Sequence, residues 1–178
     1  FTKNTAWSGG IVQVVQFSTL NFWVNIVNYN SISGSLSANR GNQYYGRDNI
    51  YLYNRGKESG GCLSLSNIKS IELRSCLMEE NAAKFAGGGI WAEEVIHVML
   101  ENLSLRKNQA EQGSAIFVTI AKIIVILNCT LIDNESLGQV GHKGGTITFR
   151  QADSTSIYNC SFINKMLSKI YCRSCSCF

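Results

Sequence analysis

Few side chains in this sequence could carry acid–base chemistry: its 178 residues include twelve carboxylates and two histidines. Glycosidases need two carboxylates about 5 to 9.5 Å apart, one on each side of the bond that they cleave. The adjacent residues Glu79 and Glu80, like Glu93 and Glu94, would point to opposite faces of a strand because side chains alternate along it. We therefore interpret the carboxylates as solvated charges and predict no catalytic residues.

The histidines and the internal cysteines give no stronger signal for catalysis. His97 and His142 have no serine or cysteine nucleophile beside them, which favours surface positions over a catalytic role. Three of the seven cysteines, Cys76, Cys129 and Cys160, recur at corresponding places in the chain. We expect them to be buried free thiols, since cysteine packs readily as a small apolar side chain.

Three more cysteines lie close together near the C-terminus, at Cys172, Cys175 and Cys177. Zinc sites of this kind require a second cysteine or histidine pair, and the sequence has none nearby. We therefore predict no metal and no cofactor. The three cysteines are candidates for disulfide bonds, either in an incomplete last coil or at the start of a cysteine-rich segment.

Four Asn-x-Ser/Thr triplets mark candidate sites of N-linked glycosylation, at Asn102, Asn128, Asn134 and Asn159. Such acceptor triplets indicate an exposed segment in a secreted protein. The expected location is therefore the cell surface or the extracellular space. Because the chain begins at Phe1, we expect a processed product or a fragment.

Two segments have the composition of binding loops. One runs from Asn39 to Arg47 and contains Arg40, Tyr44, Tyr45 and Arg47; the other runs from 135 to 143. Aromatic and polar loops suit carbohydrate or protein partners, because aromatic faces stack on sugars and on other side chains. The alternative is that both are ordinary irregularities of the repeat.

Charge and hydropathy exclude two classes of partner. The net charge is +4, with Lys and Arg scattered singly, whereas nucleic-acid binding needs a clustered basic surface. The most apolar stretch, residues 115–127, is interrupted by Thr119 and Lys122 and is shorter than the ~20 residues that a membrane span requires. We predict no nucleic acid as a partner and no membrane span in this segment.

The elements that must position all these residues are set by an internal repeat. Two small residues, one variable residue and an aliphatic residue recur six times, at positions that differ by 24, 27, 27, 26 and 31. Glycines at such places indicate corners with positive φ or close backbone approach. The predicted corner glycines are Gly9, Gly10, Gly34, Gly60, Gly61, Gly87, Gly88, Gly113, Gly144 and Gly145.

A second motif repeats with the same steps: an apolar residue, two variable residues and an asparagine. It predicts an asparagine ladder at Asn30, Asn54, Asn81, Asn108 and Asn134, with Lys165 in the sixth copy. Ser75, Asn102, Asn128 and Asn159 form another row, which we place at a second corner because asparagine tolerates the left-handed backbone.

Between the motifs the apolar residues alternate with period two, which indicates short half-buried strands. Repeats of 24 to 31 residues with such strands predict an all-β fold, a right-handed parallel β-helix of about six coils. We assign residues 1–165 to the β-helix and residues 166–178 to the incomplete coil or cysteine-rich segment.

The repeats resemble those of polymorphic outer-membrane proteins, whose signatures are Gly-Gly-Ala-Ile-like and Phe-x-x-Asn. The stretches from Asn128 to Asn134 and from Asn159 to Phe162 carry this resemblance best, and it covers residues 9 to 165. More widely, the chain is similar to pectin-lyase-like β-helices. The resemblance implies adhesion, surface display or passenger-domain roles and supplies no catalytic residues. Two copies depart from it by having Leu or Met in place of the aromatic residue.

The expected function is that of a non-catalytic structural or adhesive module of a larger cell-surface or extracellular protein, which could assemble into a fibre. Open coil ends expose unpaired strand edges, so other chains or further coils are the expected partners, with carbohydrate as another candidate. The alternative is a polysaccharide lyase or glycosidase of the pectin-lyase-like class. Two or more acids beside a basic residue in one groove would favour that alternative.

Overall fold

The computed structural model of the chain describes residues 11–32, 36–138, 144–163 and 170–173. Every regular element within these residues is a strand. The described residues include no helix that is long and apolar enough to cross a membrane. The strands are β1 (Val12–Trp23), β2 (Ile26–Asn28), β3 (Ser31–Ile32), β4 (Leu36–Arg47), β5 (Ile50–Leu52), β6 (Arg55–Gly56), β7 (Leu63–Arg74), β8 (Leu77–Glu79), β9 (Ala82–Ala83), β10 (Ile90–Glu101), β11 (Ser104–Arg106), β12 (Gln109–Ala110), β13 (Ile116–Leu127), β14 (Thr130–Ile132), β15 (Glu135–Ser136), β16 (Ile147–Tyr158), β17 (Ser161–Ile163) and β18 (Ile170–Arg173).

The strands stack into three parallel sheets that surround one core. The long sheet has the order β1-β4-β7-β10-β13-β16-β18, the middle sheet β2-β5-β8-β11-β14-β17, and the short sheet β3-β6-β9-β12-β15. Each of the first five coils contributes one strand to each sheet and then returns to the long sheet. The predicted parallel β-helix is therefore confirmed.

The register of the long sheet has the same steps as the sequence motifs. Leu36 pairs with Val12 and with Leu63, and the pairing continues through Ile90, Ile116 and Ile147, so the steps are 24, 27, 27, 26 and 31. A last step of 23 residues pairs Ile147 with Ile170. About five turns are complete rather than six, because the sixth coil has no short-sheet strand within the described residues.

Each long strand bends twice, and the bends explain its pattern of burial. In β10, Ile90, Ala92, Val95, Val98 and Leu100 all face the core. Their spacing is not a strict alternation, because the outward residues Glu93 and Glu94 are consecutive and so are Ile96 and His97. The first of these two places coincides with a left-handed backbone, which recurs at the fifth residue of each long strand from β1 to β16. The left-handed residues are Gln16, Arg40, Asn67, Glu94, Ile120 and Gln151, with φ between 53° and 59°.

Glycines close each coil where the short sheet returns to the long sheet. Gly60, Gly87 and Gly113 have φ of 70°, 66° and 54°, a conformation that side chains with a Cβ disfavour. The glycine that follows has a different constraint: a Cβ on Gly88 would collide with the carbonyl oxygens of Ser114 and Gln109. Gly9, Gly10 and Gly34 lie outside the described residues.

Candidate functional site

The outward residue pairs at the second bend of the long strands form a shallow groove. In each coil these two side chains stand next to each other, and parallel pairing stacks them on their equivalents in the next coil. The groove crosses four coils, and its lining residues are Ser18, Asn42, Gln43, Lys69, Ser70, Ile96 and His97.

The groove offers hydrogen-bonding groups, two basic side chains and one apolar surface. Lys69 and His97 are exposed, and Ile96 is 36% exposed beside them. The only side-chain hydrogen bond in this region of the described structure joins Thr19 Oγ1 to Gln43 Oε1 at 3.4 Å. No carboxylate is among the lining residues. This surface can bind polar or acidic ligands, and its lining lacks the acid pair that glycosidases use.

The carboxylates lie elsewhere, and four of the twelve form ion pairs on the surface of the described structure. Arg74 contacts Glu72 and also Glu101, with 3.2 Å between Arg74 Nη1 and Glu101 Oε2. Lys107 Nζ lies 3.3 Å from Glu80 Oε1. Such exposed pairs contribute little stability, about 0 to 1 kcal/mol. Within the described residues no group of three or more His, Cys, Asp or Glu is arranged to hold a metal ion.

The expectation that neighbouring glutamates point to opposite faces is wrong. Glu93 and Glu94 both lie on the outside of β10, and Glu79 and Glu80 are both partly exposed. The physical reason is the left-handed backbone at Glu94 and Glu80, each with φ of 53°, which interrupts the alternation. The two pairs nevertheless lie outside the groove.

The prediction that residues from Asn39 to Arg47 form a loop is also wrong. These residues form part of β4 and pair with β7 residue for residue, so they are not an insertion. Arg40 and Arg47 are exposed and Tyr45 is half-buried, whereas Tyr44 is fully buried in the core. Burial raises the pKa of the Tyr44 phenol well above its usual value.

Two glycines explain why a tyrosine fits inside this coil. Gly41 and Gly46 occupy inward positions, where the next coil has Ile68 and Leu73. A Cβ on Gly41 would collide with the ring of Phe17 from the first coil, and one on Gly46 would contact Leu73 and the Tyr44 ring. The Tyr- and Gly-rich composition that resembled a loop is therefore a local repacking of the core.

The other predicted loop, residues 135–143, is shorter than expected. Glu135 and Ser136 form strand β15 of the short sheet. Residues 139–143, including His142, lie outside the described residues. His97, the other histidine, lies in the groove.

The asparagine ladder lies inside the corner between the middle and short sheets, with its five side chains 0 to 5% exposed. Within the ladder, Asn81 Oδ1 accepts hydrogen bonds from Asn54 N (2.9 Å) and Asn54 Nδ2 (2.8 Å). Asn81 Nδ2 donates to the carbonyl oxygen of Tyr51 in the preceding coil at 2.9 Å. The same two bonds join Asn54 to Asn30, Asn108 to Asn81 and Asn134 to Asn108. The third bond recurs from the Nδ2 atoms of Asn54, Asn108 and Asn134 to the carbonyl oxygens of Val27, Met78 and Leu105.

A second interior ladder lies at the corner between the long and middle sheets, and we call it the mixed ladder. Its members are Asn25, Asn49, Cys76, Leu103, Cys129 and Cys160. Asn25 N donates to Asn49 Oδ1 at 2.9 Å, as in the asparagine ladder. Sulfur replaces the amide oxygen in later coils, where Cys129 N donates to Cys160 Sγ at 3.4 Å.

The thiols of the mixed ladder are free and act as weak hydrogen-bonding groups. Cys76 Sγ donates to the Arg74 carbonyl oxygen and Cys129 Sγ to the Leu127 carbonyl oxygen, both at 3.2 Å. Burial raises the pKa of the Cys129 thiol to about 12. Cys62, Cys76, Cys129 and Cys160 are all free, whereas Cys172 in β18 is disulfide-bonded; Cys175 and Cys177 lie outside the described residues.

A row of left-handed residues stands on the outside of the same corner, and we call it the outer row. It consists of Val24, Asp48, Ser75, Asn102, Asn128 and Asn159, with φ between 49° and 54°. The three asparagines are exposed. The fourth candidate for glycosylation, Asn134, is instead 5% exposed within the asparagine ladder, so its environment differs from that of the other three.

Sequence reasoning missed the groove because it assumed strict alternation along each strand. The available signal was a pair of adjacent polar residues at matching steps, such as Asn42–Gln43 and Lys69–Ser70. Because these pairs recur at the steps of the repeat, they indicate the second bend of each long strand.

Comparisons with models of known protein families, with curated proteins and with solved structures found no match for this chain. The resemblance of its repeats to those of polymorphic outer-membrane proteins therefore stays a prediction.

Proposed function

We propose that this chain is a non-catalytic structural or adhesive module of a larger cell-surface or extracellular protein, able to extend into a fibre. The observation that carries the proposal is the incomplete burial of the apolar side chains in the first coil. Val12, Val14, Phe17 and Leu20 face the core but stay partly exposed, whereas Leu36, Ala38 and Tyr44 at matching places in the next coil are 0 to 1% exposed.

The half-covered first coil supports stacking because its apolar side chains gain burial only when another coil covers them. Each Å² of apolar surface removed from water contributes about 25 cal/mol. Unpaired parallel strands also present free backbone groups to a further strand. Other protein chains or further coils of a longer chain are therefore the partners that we propose.

The groove supports binding rather than cleavage as the chemistry of the lateral surface. Asn42, Gln43 and Ser70 offer donors and acceptors, Lys69 and His97 offer basic groups, and no carboxylate lines the groove. Carbohydrate is the partner that we propose for this surface, since polar side chains and exposed hydroxyl groups bond well to each other.

The test of stacking is assembly of the full chain in solution, followed by sedimentation and negative-stain electron microscopy. We expect particles that lengthen as concentration rises. Val14→Asp should shorten them, because it places a charge on the partly exposed end of the core. Val15→Asp is the matched control: Val15 is the next residue of β1, points outward and is 50% exposed.

A chain that stays monomeric at every concentration, or that responds equally to both substitutions, would contradict the stacking proposal. Circular dichroism of both variants verifies that the fold is retained. Antibody labelling of intact cells tests the location, and cleavage of any polysaccharide by the purified chain would contradict the non-catalytic role.

A further inference from the structure

The four Asn-x-Ser/Thr triplets look alike in sequence but occupy two different environments in the fold. Asn102, Asn128 and Asn159 belong to the outer row, one per coil in three successive coils, and each is exposed. Asn134 belongs to the buried asparagine ladder. The fold therefore separates acceptor triplets that composition cannot distinguish.

The side-chain amide nitrogens of the three exposed asparagines in the outer row can each carry a substituent. Asn159 Nδ2 donates one hydrogen to Asn128 Oδ1 at 2.8 Å, which leaves its second hydrogen pointing away from that bond. An N-linked glycan replaces a single hydrogen of this nitrogen. The ladder bond between Asn159 and Asn128 can therefore persist in the glycosylated protein.

The required hydroxyl groups lie beside these asparagines in matching places. Ser104, Thr130 and Ser161 begin the middle-sheet strands β11, β14 and β17, and all three are partly or fully exposed. Each triplet thus has the same conformation: a left-handed asparagine, an inward residue of the mixed ladder, and an outward hydroxyl group.

Asn134 differs in burial, in backbone conformation and in the hydrogen bonds of its amide group. Its Nδ2 donates to the Leu105 carbonyl oxygen at 2.8 Å, and its Oδ1 accepts from Asn108 N and Asn108 Nδ2, both at 3.0 Å. A glycan on this nitrogen would have to displace the core of the corner. The hydroxyl of Ser136 is itself engaged, because it donates to the Glu111 carbonyl oxygen at 2.8 Å.

We propose that Asn102, Asn128 and Asn159 form a stripe of N-glycan acceptor sites along one corner of the β-helix, and that Asn134 accepts none in the folded protein. The inference rests on the proposed extracellular location.

The test uses the full chain with an added secretion signal, expressed in eukaryotic cells, so that entry to the glycosylation machinery does not depend on the native location. Site-resolved mass spectrometry with and without N-glycosidase identifies the occupied asparagines. We expect glycan on the stripe and none on Asn134.

Hydroxyl substitutions give matched controls that keep every asparagine in place. Ser104→Ala, Thr130→Ala and Ser161→Ala should each abolish glycan at one stripe asparagine. Ser136→Ala should leave the glycan mass unchanged. Glycan on Asn134 of the folded, secreted protein, or a secreted protein with all three stripe asparagines unmodified, would overturn the inference.

The same experiment separates this inference from the proposed location. If the secreted chain carries glycan on the stripe while the native protein carries none, the acceptor geometry stands and the extracellular location fails. Cell-surface labelling of the native protein measures that location directly.

Discussion

Two interior ladders run side by side along this β-helix and solve the same problem with different chemistry. At both corners, the backbone N–H of one coil points to a side chain of the next. The asparagine ladder supplies an amide oxygen at every step that the described residues include. The mixed ladder supplies an amide oxygen to Asn25 and a sulfur atom to Cys129, and at Leu103 it has an aliphatic side chain with no acceptor.

The difference shows that coil geometry does not require a uniform ladder. The two corners keep the same steps between coils although only one has a constant residue type. A uniform ladder contributes stability instead, because each asparagine satisfies two donors and one carbonyl group in the core. Buried groups left without partners cost about 1 to 3 kcal/mol each.

The largest effect is expected when one asparagine is removed from the middle of the uniform asparagine ladder. Asn81→Ala removes the acceptor of the Asn54 N–H, one of the two acceptors of the Asn54 amide, and the side-chain donor to the Tyr51 carbonyl group. We expect the free energy of unfolding to fall by about 3 to 5 kcal/mol, measured by urea denaturation. Asn42→Ala, on the exposed groove, should change it by less than about 0.5 kcal/mol. A loss below 1 kcal/mol for Asn81→Ala would mean that the ladder is not stabilising.

The next largest effect is expected at alkaline pH, which should weaken the mixed ladder but not the asparagine ladder, since only the mixed ladder contains ionisable groups. The Cys129 pKa is raised from 9.0 to about 12 in the folded protein. Because the folded state holds the proton more tightly, this group stabilises the fold below pH 9 and loses that contribution between pH 9 and about 12. The loss is about 1.4 kcal/mol per pH unit.

The measurement is urea denaturation at pH 8 and pH 10.5 for the unmodified chain and for Cys129→Asn. Asparagine keeps an acceptor at this position but does not titrate. We expect the variant to lose about 2 kcal/mol less than the unmodified chain between the two pH values. Equal losses would show that the thiol does not contribute to the alkaline transition.

The smallest expected effect comes from making the mixed ladder more uniform. Leu103→Asn gives the Cys76 N–H an acceptor but removes a side chain that is 2% exposed. One hydrogen bond contributes about 0.5 to 1.5 kcal/mol, and burial of a leucine about 1.5 to 3 kcal/mol, so the net change should be a loss near 1 kcal/mol. Leu103→Ala is the comparison, with an expected loss of about 2 to 5 kcal/mol. If the two variants unfold alike, the amide has formed no ladder bond.

The phase of the coils could be predicted from the sequence because stacking requires equivalent residues at equal places. The six glycine motifs and the six asparagine motifs share their steps, and the strands begin at the aliphatic residue of each glycine motif. Glycine and asparagine carry this signal because each is needed for a reason specific to its corner: backbone collision for Gly88, and three buried hydrogen bonds for Asn81.

The bends of the long strands could not be predicted, since no residue type marks them. The left-handed position is occupied by Gln, Arg, Asn, Glu and Ile in different coils, and Ile120 adopts it with φ of 54° although β-branched residues disfavour it. The stacked coils on both sides impose the conformation there. The burial of Tyr44 could not be predicted for a similar reason, because its ring lies beside Gly46, where a side chain would also meet Leu73 of the next coil.

The asparagine ladder also gives the molecule a direction. Backbone N–H groups of each coil donate toward the coil that follows in sequence, and the side-chain oxygen that receives them faces the coil before it. The ladder is therefore directional, because its backbone N–H groups all donate the same way along the axis. Two copies can continue the pattern only when they point the same way, so any filament built from this chain would be polar, with a growing end distinct from the other.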